Sequence, residues 1–339
     1  MATLRLGFSG VFVTLRAVIL LVSVLLAGAP ALAAERLIYD SPLPQNEYGA
    51  RLVRAFAAKV LATTGGEVEI LVRQNAVLGL TGAETLAAVR DGLVHMADMQ
   101  MNQQVGEEPI FGVESLPCLA RDFDQLKALR TLTQPHFERA AIKHNQKILF
   151  MFPLPRQNLY SKRDVRNPES LRGLKVRTID RNATAFYSYL GAVPIQMPFA
   201  EVAAALSSGL LDGVSTSSTT AVSGAFWDFL THAHQMHWQM NSFMVTVNLD
   251  AWARIPAHLR PVVEKISAET EAELWTVAVE TDATADAALR ARGLIFSDPD
   301  AAFEMRMQAA CDRVLDDFRK TARPEEAAII RDYLARGGP

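Results

Sequence analysis

From Pro256 to Arg292 the chain repeats apolar residues at helical spacing, through Leu259, Val262, Val263, Ile266, Leu274, Val277 and Leu289, and stops at Gly293. At about 1.5 Å of rise per residue, such a helix is longer than one small domain is wide. The spacing predicts a strut over residues 256–292, laid across two bodies, with two helices broken in the stretch Thr281 to Ala285 as the alternative.

The rest of the chain alternates short strand-like and helix-like runs in the manner of α/β domains. Arg36 to Tyr39, Val68 to Val72, Val94 to Met101, Lys147 to Phe152, Lys175 to Thr178 and Ser242 to Asn248 read as strands. Glu47 to Thr63, Ala83 to Arg90, Asn182 to Leu190 and Phe199 to Leu206 read as helices. Pro153 and Pro155, directly after a buried run, mark a crossover between domains.

The first 33 residues carry Arg5 and Arg16, an apolar run from Ala17 to Ala27, and then Ala31-Leu32-Ala33. This is the pattern of a secretory signal peptide cleaved near Ala33 or Ala34. A membrane anchor is disfavoured because the run is short and breaks at Gly28 and Pro30. Without the signal about 306 residues remain, enough for two domains. The expected organisation is a first lobe of residues 34–153 plus about 246–285 and a second of 154–245 plus about 295–339. The expected location is the periplasm, with the chain itself outside the membrane.

Of the 339 residues 21% are charged, and the net charge of −3 contains no basic stripe, which argues against a nucleic-acid partner. Two cysteines, Cys118 and Cys311, would enter an oxidising compartment. A single disulfide is open to them, but the reading favours two buried free thiols. The cluster His232, His234, His237 contains no cysteine or carboxylate, so no metal is expected. Gly213-Val214-Ser215-Thr216-Ser217 lacks the second glycine of a nucleophile elbow, and HExxH, P-loop and GxGxxG motifs are missing. The chain is read as a binding protein without enzymatic activity or cofactor.

Several segments occur together in a telling order: Gln74 to Gly79, Asp91-Gly92, Leu171 to Arg177, Gly191 to Pro194, Phe199 to Val202 and Ser208 to Gly213. In order and spacing they resemble the solute-binding proteins of tripartite ATP-independent periplasmic (TRAP) transporters, from about Leu37 to the C-terminus. The resemblance implies two α/β lobes joined by hinge strands and a long domain-spanning helix. The lobes would close over a small organic acid and deliver it to TRAP membrane permease subunits. An exported ligand-sensing protein would use the same fold.

Arg177 matches the family's carboxylate clamp, and its guanidinium fork suits that role independently. The resemblance also implies ligand contacts for Arg156, as a second arginine, and for Phe199, as an aromatic lining. Thr216 stands where an Asn is frequent. Phe152 and Trp238 are read as apolar wall, and Asn241, Gln100 and Asp40, near strand ends, as polar contacts. One strong clamp and an apolar wall favour a monocarboxylate with an apolar or aromatic body, such as a 2-oxo acid, over C4-dicarboxylates and sugar acids.

Overall fold

The structure is a computed structural model that describes residues 34–80 and 82–338, so the signal segment lies outside the described residues. Two sheets carry the fold. The first has the order β2-β1-β3-β10-β4, from Val68–Arg73, Glu35–Asp40, Met96–Gln100, Asn241–Asn248 and Gln146–Leu154. The second has the order β11-β9-β5-β8-β6-β7, from Ile295–Ser297, His232–His234, Gln157–Ser161, Gly213–Ser217, Lys175–Thr178 and Val193–Gln196. β1 runs parallel to β2 and β3, and β6 parallel to β7 and β8, so one side of each sheet is a parallel run of three strands. This is the two-lobe α/β architecture that the sequence leads one to expect.

Each lobe forms around amphipathic helices. In the first, Val53, Phe56 and Val60 of helix Tyr48–Thr63 pack against Leu37, Val68 and Phe150 of the sheet. In the second, Asp180 caps helix Arg181–Leu190 by accepting from the Ala183 N–H at 2.7 Å, and Gly191 ends it at φ 93°. A left-handed terminus of that kind favours glycine.

The chain crosses from the first sheet to the second at Pro155-Arg156, between β4 and β5, and returns through Gln235 to Met240, between β9 and β10. A third link is the long helix, which is continuous over Arg260–Ala291. Its 32 residues span about 48 Å. Val263, Ile266, Leu274 and Ala278 enter the core of the first lobe, and Leu289 enters that of the second. The threonine-rich stretch does not break it: Thr281 and Thr284 satisfy their hydroxyls within the helix, donating to the Val277 and Glu280 carbonyls.

Three features depart from the sequence reading. β10 begins at Asn241, so residues 241–245, grouped with the second lobe, belong to the first sheet. The final helix, Pro324–Ala335, also packs on the first lobe, with Ile329, Ile330 and Tyr333 in the cluster of Leu126 and Phe137. Finally, Cys118 and Cys311 form a disulfide across 193 residues. The expectation of free thiols fails because Cys118, between Leu116 and Leu119 of the first lobe's core, turns its side chain into the core of the second lobe. The Cys118 N–H then binds the Trp238 carbonyl at 2.7 Å, among the residues that cover helix Ala301–Thr321.

Candidate binding cleft

In open α/β sheets, ligands bind outside the carboxyl ends of the strands. Here the two sets of ends meet: β3 leads into Asn102, whose amide donates to Asp180, three residues beyond Arg177 at the end of β6. The Asn182 amide donates to the Ser115 hydroxyl at 3.2 Å, a further bond across the same seam.

Arg177 lies on this seam and is 2% exposed. Its Nε donates to the Met197 carbonyl at 3.0 Å, while Nη2 is buried without a partner. Burial pulls the guanidinium down to about 10, against the nearby charge of Asp180. Asp180 directs its own oxygens to the Ala183 N–H and the Asn102 amide. A buried cation with an unmet donor is costly until an anion reaches it.

Sheet periodicity places other groups beside it. Arg177 is in register with Val214, and Thr216 follows two residues later, so all three share one face. Asn158, opposite Thr216 on β5, adds an amide to that face, and its Oδ1 accepts from the His237 N–H at 3.2 Å. Sequence reasoning passed over Asn158. Its only signal in the sequence is a polar side chain two residues beyond Arg156. Phe199 begins helix Phe199–Ser207 two residues after Met197 and packs at 6.3 Å on Phe226.

Lys175 also lies on β6, but its ammonium donates to the Gly209 carbonyl at 2.6 Å in an exposed setting. Lys175→Ala should therefore leave affinity within about twofold, the scale of a surface change. Titration calorimetry decides this, and a loss equal to that of an Arg177 variant would count against the assignment of the clamp.

From the first lobe, Asp40 ends β1 and Gln100 ends β3, both buried. Burial raises Asp40 to about 6. Asp98, beside Tyr39 and Ser41, is raised to about 7, again by burial, with the Asp40 charge adding to the effect. Such a raised carboxyl stabilises the fold fully below its unfolded pKa, and the contribution is lost as pH rises from about 4 through about 7. Asp98→Asn should accordingly remove part of any fall in apo stability between about pH 5 and 7.5. Denaturant titrations at both pH values test this, and an unchanged slope would refute it.

Other expected contacts lie elsewhere. Arg156 donates through Nε to Asp282 of the long helix at 2.7 Å, so its charge is already matched. Phe152 is in the first lobe's core, stacked at 5.3 Å on Phe243 and edge-on to Tyr48. Trp238 is in the second lobe's core, stacked at 4.3 Å on Phe186. Both are core because their strand or hinge positions turn them toward covering helices. Asn241 sits at the hinge end of β10, its amide donating to Gln239 at 3.3 Å and its Oδ1 buried without a partner. His234 bonds Ser161 and Ser297 through its two nitrogens, and His237 stands apart in the returning hinge segment. Among the described residues no group of three His, Cys, Asp or Glu is placed to hold a metal ion. Among them also no helix is long and apolar enough to cross a membrane.

Residues 43–321 match the family described as bacterial extracellular solute-binding protein, family 7. The chain belongs to this family. One relative, a solute-binding protein of Albidiferax ferrireducens, is 25% identical over 182 residues, 53% of this chain and 54% of its own length. The match therefore spans about half of that relative. A Bordetella pertussis extracytoplasmic solute receptor binding pyroglutamic acid superposes with a TM-score of 0.86 at 26% identity, covering 88% of this chain and 99% of the receptor. A Sulfurospirillum deleyianum TRAP protein with bound succinate gives a TM-score of 0.81 at 22% identity, covering 89% and 99%.

Proposed function

We propose that this TRAP solute-binding protein captures a small monocarboxylate between its lobes and presents it, in the closed state, to membrane permease subunits. The observation that carries the reading is the contrast between its two candidate arginines. Arg177 is buried with an unmet donor, whereas Arg156 is matched by Asp282. One unmet guanidinium suits one carboxylate. A second carboxylate would find no free cation at Arg156, which argues against C4-dicarboxylates. Phe199, half-buried beside the Arg177–Met197 contact, supplies apolar surface for the rest of the ligand. The apolar wall is smaller than the sequence suggested, because Phe152 and Trp238 are core residues, so a compact or cyclic acid fits better than a large aromatic one. The pyroglutamate-binding structural relative supports the same size and charge.

Ligand binding drives closure because the closed pair offers contacts from both lobes, and the permease then reads the closed state. A thermal-shift screen of the mature protein tests the reading, since a ligand raises apparent stability by mass action. Pyroglutamate or other compact monocarboxylates are expected to stabilise it. Stabilisation by succinate or glucuronate, with none by monocarboxylates, would overturn it.

The same reading places the protein in the periplasm after cleavage next to Ala33. Mass spectrometry of the exported protein should find a new N-terminus at or beside Ala34. An intact Met1, or recovery with the inner membrane, would refute this.

A further inference from the structure

Residues 116–121 form a loop that starts and ends in the first lobe and reaches into the second. Leu116, Leu119 and Ala120 belong to the core cluster of Phe111 and Phe137, whereas Cys118, at the tip, belongs to that of Phe186 and Trp238. The tip holds φ 59°, a left-handed conformation uncommon for a residue with a Cβ, so its surroundings must keep it in place. Three hydrogen bonds fasten the loop to the returning hinge segment. The Cys118 N–H donates to the Trp238 carbonyl at 2.7 Å, and Arg121 donates through Nε to the His237 carbonyl at 3.0 Å and through Nη2 to that of Met236 at 3.2 Å. Arg121 also pairs at 3.6 Å with Glu304, on the same helix, Ala301–Thr321, that carries Cys311. That helix straddles the lobes: Phe303, Met307 and Val314 enter the second core, while Leu315 and Phe318 pack on the first.

We infer that the Cys118–Cys311 bridge is the pivot of lobe motion, a covalent link at one corner of the seam that lets the cleft open by rotation about that corner and forbids any opening that parts the lobes there. The inference rests on the reading that the lobes close over a ligand. The bridge holds its two Cα atoms 5.9 Å apart, and a disulfide tolerates separations only up to about 7 Å. Hinge segments absorb large changes of φ and ψ, whereas this link has about 1 Å to give. The axis of opening must therefore pass close to residues 118 and 311, beside the hinge segment that the same loop grips. Without the bridge, the three hydrogen bonds and the ion pair can break one at a time, and the open state gains orientations that the bridged protein lacks. Closing from that wider ensemble costs more entropy, so the bridge raises ligand affinity without touching the ligand.

The test measures the distance between the lobes with and without the bridge. Val77 of the first lobe and Leu210 of the second are exposed and carry nitroxides attached through a ketone-bearing residue, so that no new thiol is introduced. Pulsed electron resonance then compares the mature parent with the double variant Cys118→Ser, Cys311→Ser. The apo parent should give one narrow distance distribution, and the apo variant a broader one that extends to longer distances. Saturating pyroglutamate, the probe ligand, should bring both proteins to the same shorter distance. Calorimetry should show the variant binding it about five- to tenfold more weakly, the lower end of coupling between distant elements. Should the variant not fold, the folded parent is reduced with tris(2-carboxyethyl)phosphine, its native state checked by near-ultraviolet circular dichroism, and compared with untreated parent by small-angle scattering. Reduction should then raise the apo radius of gyration and leave the ligand-bound value unchanged. Identical apo distributions with and without the bridge would overturn the pivot and leave closure standing. A parent that binds pyroglutamate with no change in distance would overturn closure and the pivot with it. The apo comparison needs no ligand, so it decides the pivot even if another acid proves to be the cargo.

Discussion

Arg177→Lys is expected to weaken ligand binding by roughly ten- to a hundredfold, the equivalent of about 1.5–3 kcal/mol for a hydrogen bond to a charged group. Lysine keeps the charge but presents a point donor in place of a planar fork, and its shorter head cannot also hold the Met197 carbonyl. Arg177→Met should go further and abolish measurable binding while leaving apo stability equal to or above that of the parent. The reason is the unmet Nη2 donor: the guanidinium is taken out of water while the nearby Asp180 directs its oxygens to Ala183 and Asn102, and an apolar chain of similar length avoids that penalty. Calorimetry and thermal unfolding of the same preparations separate the two effects. A methionine variant that still binds the ligand, or a lysine variant indistinguishable from the parent, would remove Arg177 from the site.

The second large effect concerns the disulfide. Closing a loop of 193 residues restricts the unfolded chain, and the chain-entropy estimate for a loop of that size is about 5 kcal/mol, with about 2–5 kcal/mol the usual cost of losing a native bridge. Cys118→Ser, Cys311→Ser and the double variant should each lower the unfolding midpoint by the same large amount. Reduction of the parent should reproduce it. Three variants that lose different amounts would mean that packing of the individual side chains, not the cross-link, is responsible. An effect under about 0.5 kcal/mol, the scale of an ordinary surface change, would mean that the bridge does not constrain the fold.

Much of the architecture could be read from local pattern. The long helix, the buried run before Pro153 and the strand that carries Arg177 each declare themselves through periodicity or a flanking residue. Helix Phe123–Lys143 does not: Pro135 lies inside it, and a proline ordinarily ends or kinks a helical pattern. Contacts distant in sequence were harder still. Nothing near Cys118 points to Cys311, nor does anything near Arg156 point to Asp282, since both pairings are made by the tertiary fold. The same limit explains the aromatics. Phe152 and Trp238 carry the composition of a ligand wall, yet which side of a strand faces a covering helix depends on what packs there. Arg177 was legible because a strand-end position, a guanidinium and a surrounding motif agreed. Asn158 is the reverse case, a polar residue whose role follows only from its register opposite Thr216.

The order of strands in the first sheet bears on how this protein can be taken apart. β10 lies between β3 and β4, although the whole second-lobe segment that begins with β5 separates it from them along the chain. The second sheet in turn draws its edge strand β11 from beyond the long helix. A fragment ending after β4 lacks an interior strand of its own sheet, and one beginning at β5 carries a strand that belongs to its neighbour. Expression of either half as a separate piece is therefore set up to fail. Splitting the molecule for complementation assays would need cuts in exposed turns within a lobe, with both fragments supplied together, so that each can lend the other the strand it is missing.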